Sequence, residues 1–309
     1  MAAALLAIEH LRVEFPEVLA VDDLSLNLQA GDVCGLIGPN GAGKTTTLRA
    51  VSGLLERTCG SVEIEGHEFA REPDELKRRL GFMPDASAVY DHLTVTEFLD
   101  HFARAYAVPN RVQRIKDCLE STWLADQPDA LCGALSRGMK QRLVLAKTLL
   151  PDPQVLLLDE PASGLDPLGR IELWKLVSQL HDAGKVVLIS SPILAELSNF
   201  CNKAAIMEHG KLLAFGAIAE LGKMANPQRI SVRWCAHSEK AMALLAASPG
   251  VKNILQAESG ATFAFELGED ALHELLRLLI LQEVHVTEWR GLQDNLEQML
   301  LRSGAEAVK

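Results

Sequence analysis

Gly38-Pro39-Asn40-Gly41-Ala42-Gly43-Lys44-Thr45 is the stretch that decides the fold. Its spacing is G-x-x-x-x-G-K-[ST]. The apolar run VCGLIG (33–38) precedes it, and a helical pattern over 44–54 follows. A strand entering a glycine-rich loop that leaves as a helix is the context in which this spacing cradles phosphate. The glycines let backbone N–H groups converge with no side chain in the way. The helix N-terminus adds the positive end of its dipole. Lys44 is placed to reach β- and γ-phosphates, the Thr45 hydroxyl to ligate Mg²⁺, and Thr46 to lie near the α-phosphate.

Outward from this loop, short apolar strands alternate with helices. VLLLD (155–159), VVLIS (186–190), AAIM (204–207) and KLLAFG (211–216) read as strands, and 168–182 and 192–201 as helices. This alternation predicts an α/β fold with a mainly parallel sheet covered on both faces. Residues 5–15, 24–28 and 61–66 alternate like strands of an antiparallel piece. Between about 84 and 150 the pattern is helical, at 94–107, 111–120 and 139–150, and reads as a helical subdomain inserted into the core. After Leu221 the composition changes. ANPQ (225–228) reads as a linker, followed by β-α-β-β-α-β, the ferredoxin-like order, and a closing helix over 292–302. The expected domains are therefore 1–221, a nucleotide-binding domain, and 222–309, a small α+β domain. His273 and His285 stand singly among apolar residues there and read as structural.

Composition narrows the classes. Apolar residues make up 48% and charged residues 23%, which rules out wholesale disorder. The net charge of −11 argues against a broad nucleic-acid-binding surface. No apolar run reaches the roughly 18–20 residues needed to span a bilayer. The N-terminal MAAALLAIEH lacks a basic leader and reads as the start of a strand. The six scattered cysteines form no CxxC pair and are expected to be reduced thiols.

A second half of the phosphate chemistry follows at Asp159-Glu160. Asp159, closing an apolar strand, can hold the Mg²⁺ shell, and Glu160 can polarise the attacking water. Two further segments accompany it: Leu135-Ser136-Arg137-Gly138-Met139-Lys140-Gln141-Arg142, opening a helix, and Ser163-Gly164-Leu165-Asp166-Pro167. In these motifs, their order and their distances, residues 5–221 resemble the ATP-binding cassette family, the nucleotide-binding subunits of ABC transporters. The first segment corresponds to the family signature LSGGQ and the second to its D-loop. LSRGMKQR, the small C-terminal domain and the closing NLEQMLL look most like bacterial multidrug and drug-export subunits.

The resemblance implies a mechanism. Two cassettes, identical or different, sandwich ATP head to tail, with Ser136 and Gly138 of one facing the γ-phosphate held by the other. The nucleotide-contacting set is then Phe15, stacked on adenine, with Gly38, Pro39, Asn40, Gly41, Ala42, Gly43, Lys44, Thr45, Thr46, Ser136 and Gly138. Glu160 and Lys44 carry catalysis, and Thr45, Asp85 and Asp159 carry Mg²⁺. Membrane-spanning subunits are separate chains, docking around the loop from Asp85 to Tyr90. The cassette would sit on the cytoplasmic face of the membrane, with the small C-terminal domain regulating or stabilising the dimer. Arg137 replaces the usual second glycine of the signature, and either adds charge near the interface or is simply solvated. Asp85 stands in place of the Q-loop glutamine and Pro192 in place of the switch histidine. The rival to a hydrolysing transporter subunit is therefore a regulatory cassette that binds ATP and turns it over poorly. A soluble cassette acting on DNA or ribosomes is disfavoured by the acidic balance and by the lack of a basic arm.

Overall fold

The structure is a computed structural model. It describes residues 4–68, 71, 78–86, 88–193, 197, 200–224, 228–236, 238–257, 259–265 and 267–292. The chain divides into two compact units, Met1–Ile218 and Ala219–Lys309.

The first unit holds two sheets. β1 (Leu6–Phe15), β2 (Val18–Leu28), β4 (Cys59–Ile64) and β5 (His67–Glu68) form an antiparallel sheet in the order β2-β1-β4-β5. β2 begins earlier than the alternation suggests. Val18 pairs with Phe15 across a tight turn, and the strand carries Asp22-Asp23 through its middle. That acidic pair hides the strand in the sequence. In the fold Arg12 bonds Asp22 at 3.1 Å, and Asp23 has a positive φ.

The six-stranded sheet has the order β10-β9-β3-β8-β7-β6. It comprises β3 (Val33–Ile37), β6 (Leu80–Met83), β7 (Val155–Asp159), β8 (Val186–Ser191), β9 (Lys203–Glu208) and β10 (Lys211–Ala217). All pairings are parallel except the edge hairpin β9–β10. Every residue of β3, β7 and β8 is buried, as expected for central parallel strands covered on both faces. One core cluster joins the two sheets through Leu11, Val21, Leu36, Leu48, Leu157 and Leu188. Since β8 lies between β3 and β7, the loops leaving all three strands emerge side by side at one edge, where ligands of open α/β sheets bind.

Among the described residues the α-helices of this unit that bear on the site are α1 (Lys44–Val51), α2 (Val95–Ala105), α3 (Arg111–Ser121), α4 (Arg137–Leu149) and α5 (Pro167–Asp182). α2, α3 and α4 form the expected insertion between β6 and β7. Thr94 and Glu97 form a reciprocal capping box that starts α2. Arg114 of α3 donates to the carbonyls of Leu149 and Leu150, closing the C-terminus of α4. α1 stops at Val51, short of the expected 54, where Ser52 and Gly53 turn the chain back. Half of the expected helix 192–201, residues 194–196 and 198–199, lies outside the described residues.

The second unit starts within α6 (Ile218–Met224). It continues as β11 (Gln228–Trp234), α7 (Ser238–Ala247), β12 (Val251–Ala257), β13 (Gly260–Phe265), α8 (Glu269–Leu281) and β14 (Val286–Leu292). Its sheet is antiparallel in the order β12-β13-β11-β14. Ile230, Val232, Trp234, Phe263, Phe265, Leu275 and Leu279 form its own core. Leu292 ends β14, and the rest of the expected closing helix lies outside the described residues.

Candidate functional site

The phosphate loop takes its shape from backbone packing. Gly43, at φ 100°, caps α1 in the left-handed region, and a Cβ there would collide with the Ala20 carbonyl. Only glycine fits such a position without strain. α1 has no side-chain N-cap, so the amides of its first turn keep their donors for a ligand. Lys44 is 6% exposed, and its Nζ donates to the carbonyls of Gly38 at 2.7 Å and Pro39 at 3.0 Å. Burial pushes its pKa down, while the charges of Glu160 and Asp159 pull it up.

Beside this loop the strand ends deliver a carboxylate. Asp159 is 1% exposed at the end of β7. Its Oδ1 accepts from Thr45 Oγ1 at 3.1 Å and from Ser190 Oγ at 2.6 Å. Its Oδ2 is buried with no hydrogen-bond partner among the described residues. A buried carboxylate oxygen left bare is costly unless a cation or a donor meets it. Among the described residues no group of three or more His, Cys, Asp or Glu side chains is placed to hold a metal. A cation against Oδ2 would therefore draw its remaining ligands from hydroxyl, water or phosphate oxygens.

The adjoining cavity has a volume of about 590 Å³. It is lined by Asn40, Gly41, Gly43, Lys44, Thr45, Thr46 and Glu160, together with Phe15, Val18, Leu19, Ala20, His209 and Gly210. Phe15, at the end of β1, lines the cavity and is 42% exposed, so it is not consumed by core packing. The His209-Gly210 turn is clamped here: Gly210 N–H donates to Ala42 O, and Asp22 N–H donates to Gly210 O. Sequence reasoning missed His209, which sits at a positive φ, as well as Val18 and Ser190. A His-Gly pair between two strands signals only a turn. Its place on the cavity wall comes from the pairing of two distant hairpins.

The comparisons with known proteins agree with this geometry. A profile described as ABC transporter matches residues 21–163. The daunorubicin/doxorubicin resistance ATP-binding protein DrrA of Streptomyces peucetius is 36% identical over 236 residues, 75% of this chain and 72% of that protein. The Nod factor export ATP-binding protein I of Burkholderia pseudomallei is 36% identical over 219 residues, 70% of this chain and 72% of that protein. The chain belongs to the ABC transporter ATP-binding family. A solved ATP-binding subunit of an ABC transporter superposes with a TM-score of 0.66 at 28% identity, covering 71% of this chain and 92% of that one. CbiO1 from Clostridium perfringens, at 22% identity, shares the fold with a TM-score of 0.65 over 80% of this chain and 96% of that one. This ABC chain is thus an ATP-binding subunit of a membrane transporter, an ATPase coupled to transport.

The remaining family positions lie away from the cavity. Ser136 is the N-cap of α4, its Oγ accepting from Met139 N–H at 3.2 Å. Neither Ser136 nor Gly138 lines the cavity that holds Lys44. Arg137 is exposed but not merely solvated: it donates to Ser163 Oγ at 3.3 Å and lies against Gly164, so the signature and the D-loop of this ABC chain touch. Gln141, buried on α4, reaches the carbonyls of Glu160 and Pro161 at 3.5 Å. Asp85 is exposed in the turn after β6 and is not among the residues lining the cavity. Pro192 is exposed just past β8, and Ser191 Oγ accepts from Ile193 N–H at 3.0 Å. Pro192 and Glu160 line a neighbouring cleft of about 210 Å³ with Ser163, Gly164 and Trp174.

Proposed function

We propose that this ABC subunit hydrolyses ATP with Mg²⁺ to drive export through separate membrane-spanning chains, working as one of a pair of cassettes. The observation that carries the metal reading is the bare Oδ2 of Asp159 beside the Thr45 hydroxyl, at the foot of the phosphate loop. Those two groups would hold Mg²⁺, which when bound would neutralise charge on the β- and γ-phosphates. Lys44 exchanges its loop carbonyls for phosphate oxygens. Phe15 and the His209 turn border the base and ribose. Glu160, left as the carboxylate facing both cavity and cleft, orients water at the γ-phosphate. The exported cargo is read as an organic small molecule, by likeness to the drug and Nod factor export proteins.

Ser136 and Gly138 lie off the cavity of their own chain, which supports a head-to-tail pair in which each serves the partner's nucleotide. Cysteines placed at Ser136 and Gly41 are expected to crosslink between chains only with ATP. Crosslinks formed without nucleotide, or only within one chain, would contradict the arrangement. The exposed Cys59 and Cys235 should first be replaced. Cys118 and Cys201 are buried, and burial pushes their thiols up to about 11 and about 12, so they remain unreactive at neutral pH.

The membrane partner is assigned to the aromatic surface of the insertion. Tyr90 is 53% exposed and packs on Phe98, His101 and Phe102. No helix among the described residues is long and apolar enough to cross a membrane, which suits a peripheral place on the cytoplasmic face. The second unit is read as a ferredoxin-like domain that regulates or steadies the pair.

Pro192 favours slow or partner-dependent turnover as the second reading. Proline carries no side-chain donor, so one hydrogen bond to the γ-phosphate is missing. The local chain is otherwise sound, since Ser191 caps the turn. Pro192→His is expected to raise steady-state turnover at saturating MgATP by about ten-fold, the effect of one charged hydrogen bond made in the transition state. No gain in a folded, ATP-binding variant would place the limit on hydrolysis elsewhere.

A further inference from the structure

Ser190 is fully buried near the end of β8, at a position with no role in the sequence motifs. The parallel register sets it opposite Asp159 on β7 and Leu36 on β3. Its hydroxyl makes two bonds at once. Oγ donates to Asp159 Oδ1 at 2.6 Å and accepts from the Glu160 backbone N–H at 2.9 Å. Both acidic residues of the site are thus tied to one oxygen that is itself held rigidly in the central sheet.

Each bond has a separate consequence. A carboxylate is free to rotate about its Cβ–Cγ bond unless its oxygens are distinguished by partners. Here Thr45 and Ser190 both occupy Oδ1, leaving Oδ2 bare. Thr45 rides on α1, the helix that meets nucleotide, whereas Ser190 belongs to the sheet. Glu160 sits at φ 46°, a left-handed conformation that a non-glycine residue holds only when its surroundings fix it. The bond from its N–H to Ser190 is such a restraint.

We propose that Ser190 is a positioning residue: it sets which oxygen of Asp159 faces the metal, and it holds the backbone turn that aims Glu160. This rests on reading the site as a MgATP site. It assigns to the strand before the missing switch histidine an anchoring task that does not need histidine. Ser190 touches neither the phosphates nor the metal and acts only through its two acidic neighbours.

The test compares the full chain with Ser190→Ala, Ser190→Cys and Ser190→Thr. Mn²⁺ binding in the presence of ADP is followed by electron paramagnetic resonance, nucleotide binding is measured in EDTA, and steady-state ATPase is recorded. For Ser190→Ala, metal-free nucleotide affinity should stay within about two-fold of the parent, because the phosphate loop is untouched. Mn²⁺ half-saturation should rise about ten-fold and kcat fall about ten- to a hundred-fold with little change in KM, the scale of one or two charge-assisted hydrogen bonds. Ser190→Thr, which keeps the hydroxyl, should recover most of both losses, and Ser190→Cys, which fills the volume with a weak donor, should not. Parent-like Mn²⁺ binding and kcat in Ser190→Ala would overturn the proposal. So would equal losses in the Thr and Ala variants, or failure of both the Ala and Cys variants to fold, since the role would then be structural. A parent chain with no metal-dependent nucleotide binding would instead overturn the MgATP reading, and this inference with it.

Discussion

Lys44→Ala is expected to weaken MgATP binding by about a hundred-fold or more, equivalent to about 3 kcal/mol. Lys44 is the one basic side chain of the phosphate loop, and its Nζ lies 2.7 Å from Gly38 O and 3.0 Å from Pro39 O. In that position it closes the loop on itself, and it needs only a small movement to give those donors to phosphate. Burial alone disfavours its charge, while Glu160 and Asp159 favour it. An incoming phosphate adds negative charge to the same side of that balance, so nucleotide binding holds the ammonium protonated. Alanine removes both the donors and the charge. It also leaves two loop carbonyls without this donor, so a modest fall in melting temperature should accompany the loss. Isothermal titration on a folded variant, with melting followed in parallel, checks both effects. Unchanged nucleotide affinity would mean that the loop does not bind phosphate in the way its geometry suggests.

What could be read from the sequence follows what is local in it. The strand–loop–helix at 33–51 is contiguous, and its glycines, lysine and threonine declare their use by spacing alone. VLLLD and VVLIS are legible because a strand buried on both faces must be apolar throughout. β2 is not legible in full, because Asp22-Asp23 breaks the alternation and Asp22 is explained only by cations that the fold brings to it, Arg12 of β1 and Lys211 of β10. The His209 wall and the Ser190 anchor are invisible for another reason. Each gains its place from strands far apart in the chain: Ser190 lies 31 residues from Asp159 in sequence yet 2.6 Å from it in space. Hydroxyl residues at strand ends are common, and nothing in the sequence marks this one.

The departures at Asp85 and Pro192 show a different limit. Motif order places both at family positions, but a place in a motif does not say where the side chain lies in the fold or what it can donate. Asp85 is exposed and is not among the residues lining the cavity beside Lys44, and the Pro192 side chain has nothing to donate. Arg137 goes the other way. Its sequence position left solvation and an interface charge equally open, and the fold turns its guanidinium onto Ser163 of the D-loop. A substitution inside a signature therefore has to be read from where the side chain lands.

Glu160→Gln is expected to lower kcat by about a hundred-fold or more, the range for losing a positioned general base. ATP binding should persist and tighten slightly. Glu160 lines both the cavity beside Lys44 and the cleft shared by Ser163, Gly164 and Pro192, the place that the proposed MgATP reading gives to the attacking water. Its backbone is fixed on both sides, N–H to Ser190 Oγ and carbonyl toward Gln141. Glutamine has the same length and shape, so those backbone bonds should survive and the fold should be unaffected. What disappears is one negative charge beside the γ-phosphate and beside Lys44. Losing it relieves repulsion of the nucleotide, which is why affinity should rise. Losing the basic carboxylate removes the group that takes a proton from water, which is why turnover should fall. The split between the two is the diagnostic result. With ATP bound and not consumed, Ser136–Gly41 crosslinks should also accumulate in the glutamine variant and decay more slowly than in the parent. Full turnover in a folded Glu160→Gln chain would show that another group activates the water. Reduced affinity together with reduced turnover would show that Glu160 serves the phosphate loop instead of the attacking water.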